Sequence, residues 1–254
     1  MWLAIAGVFF FISGSFVARF PVKPELAHVS SVFVLVMALP SYIALCRWIG
    51  VRCGMFSLLA LAVYAYIVEY IAVKSGFPYG QFEHGYKIGY KIADTVPWTV
   101  PFAWTPLVLA SFALGSRFAK GSRLGTLLVS ALLLVAIDLM LDPGAVAQGF
   151  WLYSRDGLAA LPVLGWRFYD VPVSNFLGWL LSGFGASWVL MMSLPDQFKQ
   201  NFEQNSPPRS LIQSTFLVLC FWTSAAFWMS LTVPFLIGVL LLVVFARTLF
   251  LSSS

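Results

Sequence analysis

Charged residues are scarce in this chain. Asp, Glu, Lys and Arg make up 10% of its 254 residues, where an ordinary soluble domain carries about 25%. With a mean hydropathy of +0.88, that shortage excludes a soluble globular enzyme and a disordered chain. The net charge of +5 is scattered rather than gathered into a stripe, which excludes a nucleic-acid-binding module. Cysteine is nearly missing. Cys46, Cys53 and Cys220 are odd in number and form no CxxC pair, so neither a disulfide framework nor a thiolate metal site is implied. The two histidines, His28 and His84, fall far short of the imidazole count of a membrane di-iron oxygenase. No GxGxxG follows a strand pattern, since Gly183-Phe-Gly185 lies inside an apolar run and lacks the third glycine. No Walker sequence appears. The expectation is a protein that uses neither a metal nor a cofactor.

What the chain has in excess is apolar and aromatic surface: 60% hydrophobic residues, with 24 Phe, 10 Trp and 9 Tyr. Apolar stretches of spanning length recur at about 2–18, 27–46, 54–73, 97–115, 124–141, 172–194, 210–229 and 233–250. Each approaches the ~20 residues that cross ~30 Å of hydrocarbon. The fold class expected is all-α, a single polytopic transmembrane helix bundle over residues 1–254 with about eight helices. Seven remain an option, because the last two runs are separated by a residue or two near Thr232-Val233-Pro234. The first run has no basic leader and no small-x-small cleavage site, so it reads as a helix rather than a signal sequence.

Two connectors, 47–52 and 117–123, are short, basic and free of acids, which favours their face as cytoplasmic with both termini inside. The opposite face carries Arg19, Lys23, Lys74, Lys87, Lys91, Arg155 and Arg167. Two long connectors, 74–96 and 142–171, are rich in Gly, Pro and aromatics, and by parity both lie on that face. The segment 195–209 reads as a plain solvated loop.

The same parity gathers the unusual polar residues. Glu69 stands near the end of the third run, Asp138 and Asp142 end the fifth, and Asp170 and Asn175 open the sixth. A carboxylate at the centre of a spanning helix is disfavoured by about 3 kcal/mol. Such a residue faces the bundle interior and has a partner or a task. A carboxyl kept from water favours its protonated form, which suits a proton donor. Asp138 and Asp142 are four apart and share a helix face. Asp142-Pro143-Gly144 also reads as a turn. Tyr66, Glu69 and Tyr70 share a face of the third run, either as a packing stripe or as phenols holding the carboxyl or a water. Asp170 reads as a helix N-cap ahead of Pro172. Ser174, Gly178, Ser182 and Ala186 form a small-residue stripe for close helix approach. His84 reads as a surface histidine in a polar loop. The many Trp and Tyr at this level serve an interfacial belt or a tunnel for an elongated apolar ligand.

Taken in order, these motifs become recognisable: Glu69, then Gly76-Phe-Pro-Tyr79-Gly80, Val96-Pro97 with Pro101-Phe-Ala-Trp104, Asp138-x-x-x-Asp142-Pro143 with Gly149-Phe-Trp151, and Tyr169-x-x-Pro172-x-x-Asn175-Phe-x-Gly178-Trp179. Over a core of about residues 55–195 the chain resembles the integral-membrane carotenoid hydratases, which include the bisanhydrobacterioruberin and γ-carotene hydratases. The resemblance implies addition of water across the terminal C1–C2 double bond of an acyclic, γ-carotene- or lycopene-like end group. That reaction takes only the polyene, water and acid–base groups, in a protein surrounded by membrane lipid. On this reading Asp138 or Glu69 donates the proton, Asp142 and Asn175 place the water, and Tyr66, Tyr79, Trp104, Trp151, Tyr153 and Trp179 line the substrate pocket. The membrane implied is a bacterial inner or thylakoid-like one. Two other classes fit the same residues: a membrane terpenoid or carotenoid cyclase sharing the protonation step, and a non-enzymatic pigment- or lipid-binding protein.

Overall fold

A computed structural model describes residues 1–20, 22–120, 122–154, 166–200, 202 and 206–251. Arg155, named above among the face charges, and Gly121 lie outside the described residues. The helices among the described residues are α1 (Trp2–Arg19), α2 (Ala27–Ile49), α3 (Val51–Ser75), α4 (Val100–Phe118), α5 (Arg123–Ala147), α6 (Val173–Ser193), the short α7 (Asp196–Gln200), α8 (Gln213–Trp228) and α9 (Thr232–Ala246). A 3₁₀ turn, Arg209–Ile212, leads into α8, and a further helical turn, Arg247–Leu251, extends α9.

Seven of these helices are long and apolar enough to cross a membrane. The long helix outside that set is α4, and its position explains why. It packs against α2, α3, α5, α6 and α8. Every residue from Trp104 to Ser116 is buried. A helix enclosed by protein needs no lipid-facing apolar stripe, so α4 admits Thr105, Ser111 and Ser116. The outer helices show the inverse: Ile5, Phe9, Phe56, Leu59 and Val63 are exposed, as expected of side chains that meet lipid rather than water. The chain is a helical integral-membrane protein.

Close helix contacts rest on small residues. A Cβ on Gly14 of α1 would sit 2.1 Å from the Phe221 carbonyl oxygen of α8. Ser130 of α5 donates to the Ser111 carbonyl of α4 at 3.1 Å. The α6 stripe Ser174, Gly178, Ser182 and Ala186 is buried, but much of it receives a connector rather than a helix: Ser174 donates to the Tyr79 carbonyl at 3.1 Å, and a Cβ on Gly178 would lie 2.8 Å from the Pro78 carbonyl oxygen.

The two long connectors fold onto each other. They supply β1 (Phe82–His84), β2 (Lys91–Ile92), β3 (Val96–Pro97), β4 (Trp151–Tyr153), β5 (Arg167–Phe168) and β6 (Val171–Pro172). Strand β1 pairs antiparallel with β4, placing Phe82 opposite Tyr153 and His84 opposite Trp151. Both connectors therefore cap one end of the bundle, as helix parity requires. Lys87 ties them further by donating to the Gln148 carbonyl at 2.7 Å.

Several local expectations are corrected. α4 begins at Val100 rather than at residue 97, because Val96 and Pro97 are taken up by the β2–β3 hairpin. α5 does not stop at an Asp142-Pro143-Gly144 turn but runs to Ala147. Tertiary packing overrides the turn signal: a Cβ on Gly144 would lie 2.9 Å from the Trp222 ring, so this stretch is held against α8. Asp170 does not cap α6. Tyr169 and Asp170, at φ 51° and 67°, form the two-residue turn of the β5–β6 hairpin, and Pro172 occupies the N-cap. Segment 195–209 is not a plain solvated loop. Phe198 packs edge-on against Trp48 at 5.3 Å, and the buried Phe202 packs against Phe112 at 5.8 Å.

Candidate functional site

Beneath the β1–β4 cap lies a cavity of about 90 Å³. Its walls come from α3, β1, α4, α5, β4 and α6, and their exposed atoms are overwhelmingly apolar. Two carboxyl groups nevertheless face it, Glu69 from α3 and Asp142 from α5.

The α5 side is a network of neutral donors around two acids. Asn175, in the first turn of α6, donates through Nδ2 to Asp138 Oδ2 at 2.7 Å and to Asp142 Oδ2 at 2.9 Å. Trp151 Nε1 donates to Asp142 Oδ1 at 2.5 Å, and the Tyr153 hydroxyl donates to Asp142 Oδ2 at 3.1 Å. The i, i+4 spacing on α5 aims both carboxyls at one point, and α6 places its amide between them. Asp138, Asp142 and Asn175 are 3%, 1% and 1% exposed, so this network is built away from water. Asp142 and Asn175 line the cavity; Asp138 stands behind them and reaches it through Asn175.

The α3 side is a pair. Glu69, 6% exposed, lies with its Oε2 3.1 Å from His84 Nε2. With Glu69 ionised, Nε2–H donates and fixes the ring tautomer, which leaves Nδ1 as an acceptor. His84 is 5% exposed and lines the cavity. The surface-histidine expectation is therefore overturned. Pairing of β1 with β4 carries the imidazole inward, where it meets the Phe82 and Trp151 rings edge-on at 5.2 and 6.3 Å. His84 Nδ1 and Trp104 Nε1 are both buried without a hydrogen-bond partner among the described residues. A buried polar atom left unmatched costs about 1–3 kcal/mol. His84 is the cavity residue that sequence reasoning missed. The alternation Phe82-Glu83-His84, which as a strand puts His84 on the same face as an apolar ring, is the signal the sequence offers.

Aromatic rings complete the enclosure. Trp104 of α4 stacks on Trp179 of α6 with centroids 4.9 Å apart, and Trp179 lies 6.0 Å from Tyr79. The Tyr79 hydroxyl donates to Ser182 Oγ at 2.9 Å. Burial first, and then the Glu69 charge, hold the Tyr79 phenol well above its ordinary pKa of 10. Burial, followed by the Asp142 and Asp138 charges, does the same to Tyr153. Both therefore remain neutral donors. Of the residues singled out from the sequence, Glu69, Asp142, Asn175, Tyr79, Trp104, Trp151, Tyr153 and Trp179 converge on this cavity. Tyr66 stands apart: its hydroxyl donates to the Ile92 carbonyl at 3.3 Å and anchors the connector. Tyr70 is 40% exposed on the outer surface. Among the described residues no group of three or more His, Cys, Asp and Glu side chains is arranged to hold a metal ion.

A second apolar cavity of about 110 Å³, bounded by α1, α2, α8 and the connectors, shares Ile88 with the first. The Ile88 carbonyl accepts from the Thr99 hydroxyl, which holds this partition at the foot of α4.

Comparison with known proteins bears on the family of the chain. The family described as "Carotenoid biosynthesis protein" matches residues 27–245. A bisanhydrobacterioruberin hydratase from Haloarcula japonica is 38% identical over 154 residues, covering 58% of this chain and 48% of that protein. No solved structure matches the chain. With a family match reaching from the start of α2 into the last turn of α9, the chain belongs to the carotenoid biosynthesis protein family.

Proposed function

We propose that this protein is a carotenoid hydratase, adding water across the C1–C2 double bond of an acyclic carotenoid end group to give a tertiary alcohol. The observation that carries the reading is an apolar, ring-walled cavity inside a membrane bundle with carboxyl groups on two of its walls. Acid–base hydration of a trisubstituted alkene can use that combination. A proton goes to C2, a tertiary cation forms at C1, water adds to it, and the added water loses its proton to a base. General acid–base catalysis at positioned side chains supplies about 10²–10⁴-fold. The Trp104, Trp151, Trp179 and Tyr79 faces stabilise the cation by cation–π attraction. The cavity has room on the scale of a branched chain end, so the rest of the polyene extends past Ile88 into the second cavity and the bilayer. The hydratase name of the 38%-identical relative supports the same reaction class. A bacterial inner or thylakoid-like membrane supplies both setting and substrate.

The test is expression in a host that accumulates lycopene or γ-carotene, grown in ¹⁸O-labelled water. A tertiary alcohol carrying the label is the expected product. A cyclised, unlabelled pigment would make the protein a cyclase, and unchanged pigment that co-purifies with it would make it a binder.

A further inference from the structure

We infer that His84 is a catalytic residue of this site, the base that takes a proton from the attacking water while Glu69 orients it. The inference deepens the hydratase reading and rests on it.

The two acid centres facing the cavity are not equivalent. On the α5 side the hydrogen-bond donors that reach Asp138 and Asp142 among the described residues, Asn175, Trp151 and Tyr153, are neutral. Two carboxyls sharing one amide, with neutral donors about them, form a pair suited to carrying one proton between them. That is the acid side. On the α3 side a carboxylate meets an imidazole at 3.1 Å. This is the base-and-orienter arrangement: the carboxylate fixes the tautomer and supports the imidazolium once it forms. The far ring nitrogen, Nδ1, is buried and unpartnered among the described residues, and its ring lines the cavity. A water at that nitrogen would supply the missing partner and stand ready for the cation. His84 is carried on a short strand, fixed by β1–β4 pairing against Trp151. Trp151 also donates to Asp142, so one residue positions both sides.

The step balances. The Asp138–Asp142 pair gives its proton to C2 and the C1 cation forms. The water oxygen bonds to C1, and one of its protons passes to His84 Nδ1. The imidazolium then returns that proton to the Asp pair through water, and the net change is addition of one water.

The experiment uses the full-length protein in membranes supplied with lycopene in deuterated water, and reads two quantities for H84A, H84Q and E69Q. One is tertiary alcohol; the other is deuterium in the end group of recovered lycopene. Deuterium enters when the acid side protonates C2 and the cation reverts by losing the original C2 hydrogen. With the base removed, alcohol formation is expected to fall about 10²–10⁴-fold while deuterium incorporation persists. Imidazole added to H84A membranes is expected to restore part of the alcohol. Wild-type alcohol formation by H84A or H84Q overturns the inference, as does joint loss of alcohol and deuterium in protein that still accumulates in the membrane. Should the His84 variants fail to accumulate, E69Q keeps the imidazole and decides the matter, since a wild-type rate there overturns it. Failure of the hydratase reading looks different: the unaltered protein would then make no ¹⁸O-labelled alcohol.

Discussion

The two polar centres of this cavity were assembled in different ways. The α5–α6 centre is a product of helix periodicity. Asp138 and Asp142 lie one turn apart on α5, and Asn175 answers them from the first turn of α6. The α3–β1 centre is a product of connector folding. Glu69 sits on a helix, but its partner His84 arrives on a strand whose place is fixed only by pairing with another connector nearly 70 residues away in sequence. The first centre joins two carboxyls through shared neutral donors; the second keeps a buried nitrogen without a hydrogen-bond partner among the described residues. The difference teaches that helix spacing alone gathers carboxyls and their donors at one point, whereas bringing an imidazole to a carboxyl takes pairing between connectors distant in sequence.

The comparison breaks most sharply at Asp142. D142N keeps the size and removes the acid at the cavity wall, so tertiary alcohol formation is expected to fall by about 10²–10⁴-fold. D138N alters a residue one step behind the wall and is expected to lose less. Pigment profiles of the two variants at matched membrane levels check the order. An equal or reversed order would place the donated proton on Asp138 directly.

Next in size is Asn175. N175A removes the amide that serves both carboxyls and leaves two buried acceptors short of a donor, a destabilisation of about 1–3 kcal/mol. A lowered Tm in detergent, together with reduced turnover, is the expected result. Unchanged stability would mean that the Asp pair finds other donors and that the network is less closed than its geometry indicates.

The same contrast explains how much was legible in the sequence. The spanning runs, the parity that put both long connectors on one face, and the carboxyls of α3 and α5 all follow from periodicity and hydropathy, which act over a few turns of chain. α4 followed too, although it is less apolar than the others, because its length and flanking signals were intact. His84, the β5–β6 turn at Tyr169-Asp170 and the continuation of α5 through Pro143 did not follow. Each depends on a contact between segments distant in sequence: β1 on β4, and Gly144 against Trp222. Local propensity names a loop histidine polar and an Asp-Pro-Gly a turn, and tertiary packing overrules both. Tyr66 errs in the other direction. It shares a helical face with Glu69 by spacing, yet its hydroxyl reaches the connector instead.

A smaller effect is expected at Tyr153. Y153F deletes one of the hydrogen bonds on Asp142 and keeps the ring, so turnover is expected to drop by about two- to tenfold, the net worth of one neutral hydrogen bond. Its phenol is held well above 10 by burial and by the neighbouring Asp142 charge. A raised pKa moves ionisation to higher pH, so the phenol stays protonated through any assay up to pH 10. The alkaline limb of the pH–rate profile should therefore be the same for wild type and Y153F. Disappearance of that limb in Y153F would assign it to the phenol and show that Tyr153 ionises within the working range.

The mildest change concerns neither centre but the partition beside them. Ile88 is common to the walls of both cavities, and its backbone is pinned by Thr99. If the polyene passes this point, bulk added beyond Ile88 acts on the body of the substrate and not on the reacting end. V34W fills part of the second cavity, whose wall includes Val34 while that of the first does not. A full-length carotenoid is then expected to show a raised apparent KM with kcat nearly kept, because the loss falls on ground-state and transition-state binding alike. A short isopropylidene-ended hydrocarbon, which never reaches the second cavity, is expected to react as with the unaltered protein. Were both substrates slowed equally, the bulk of the indole would be disturbing the acid centres themselves, and the polyene would have to leave the cavity by another route, past the Trp104–Trp179 stack.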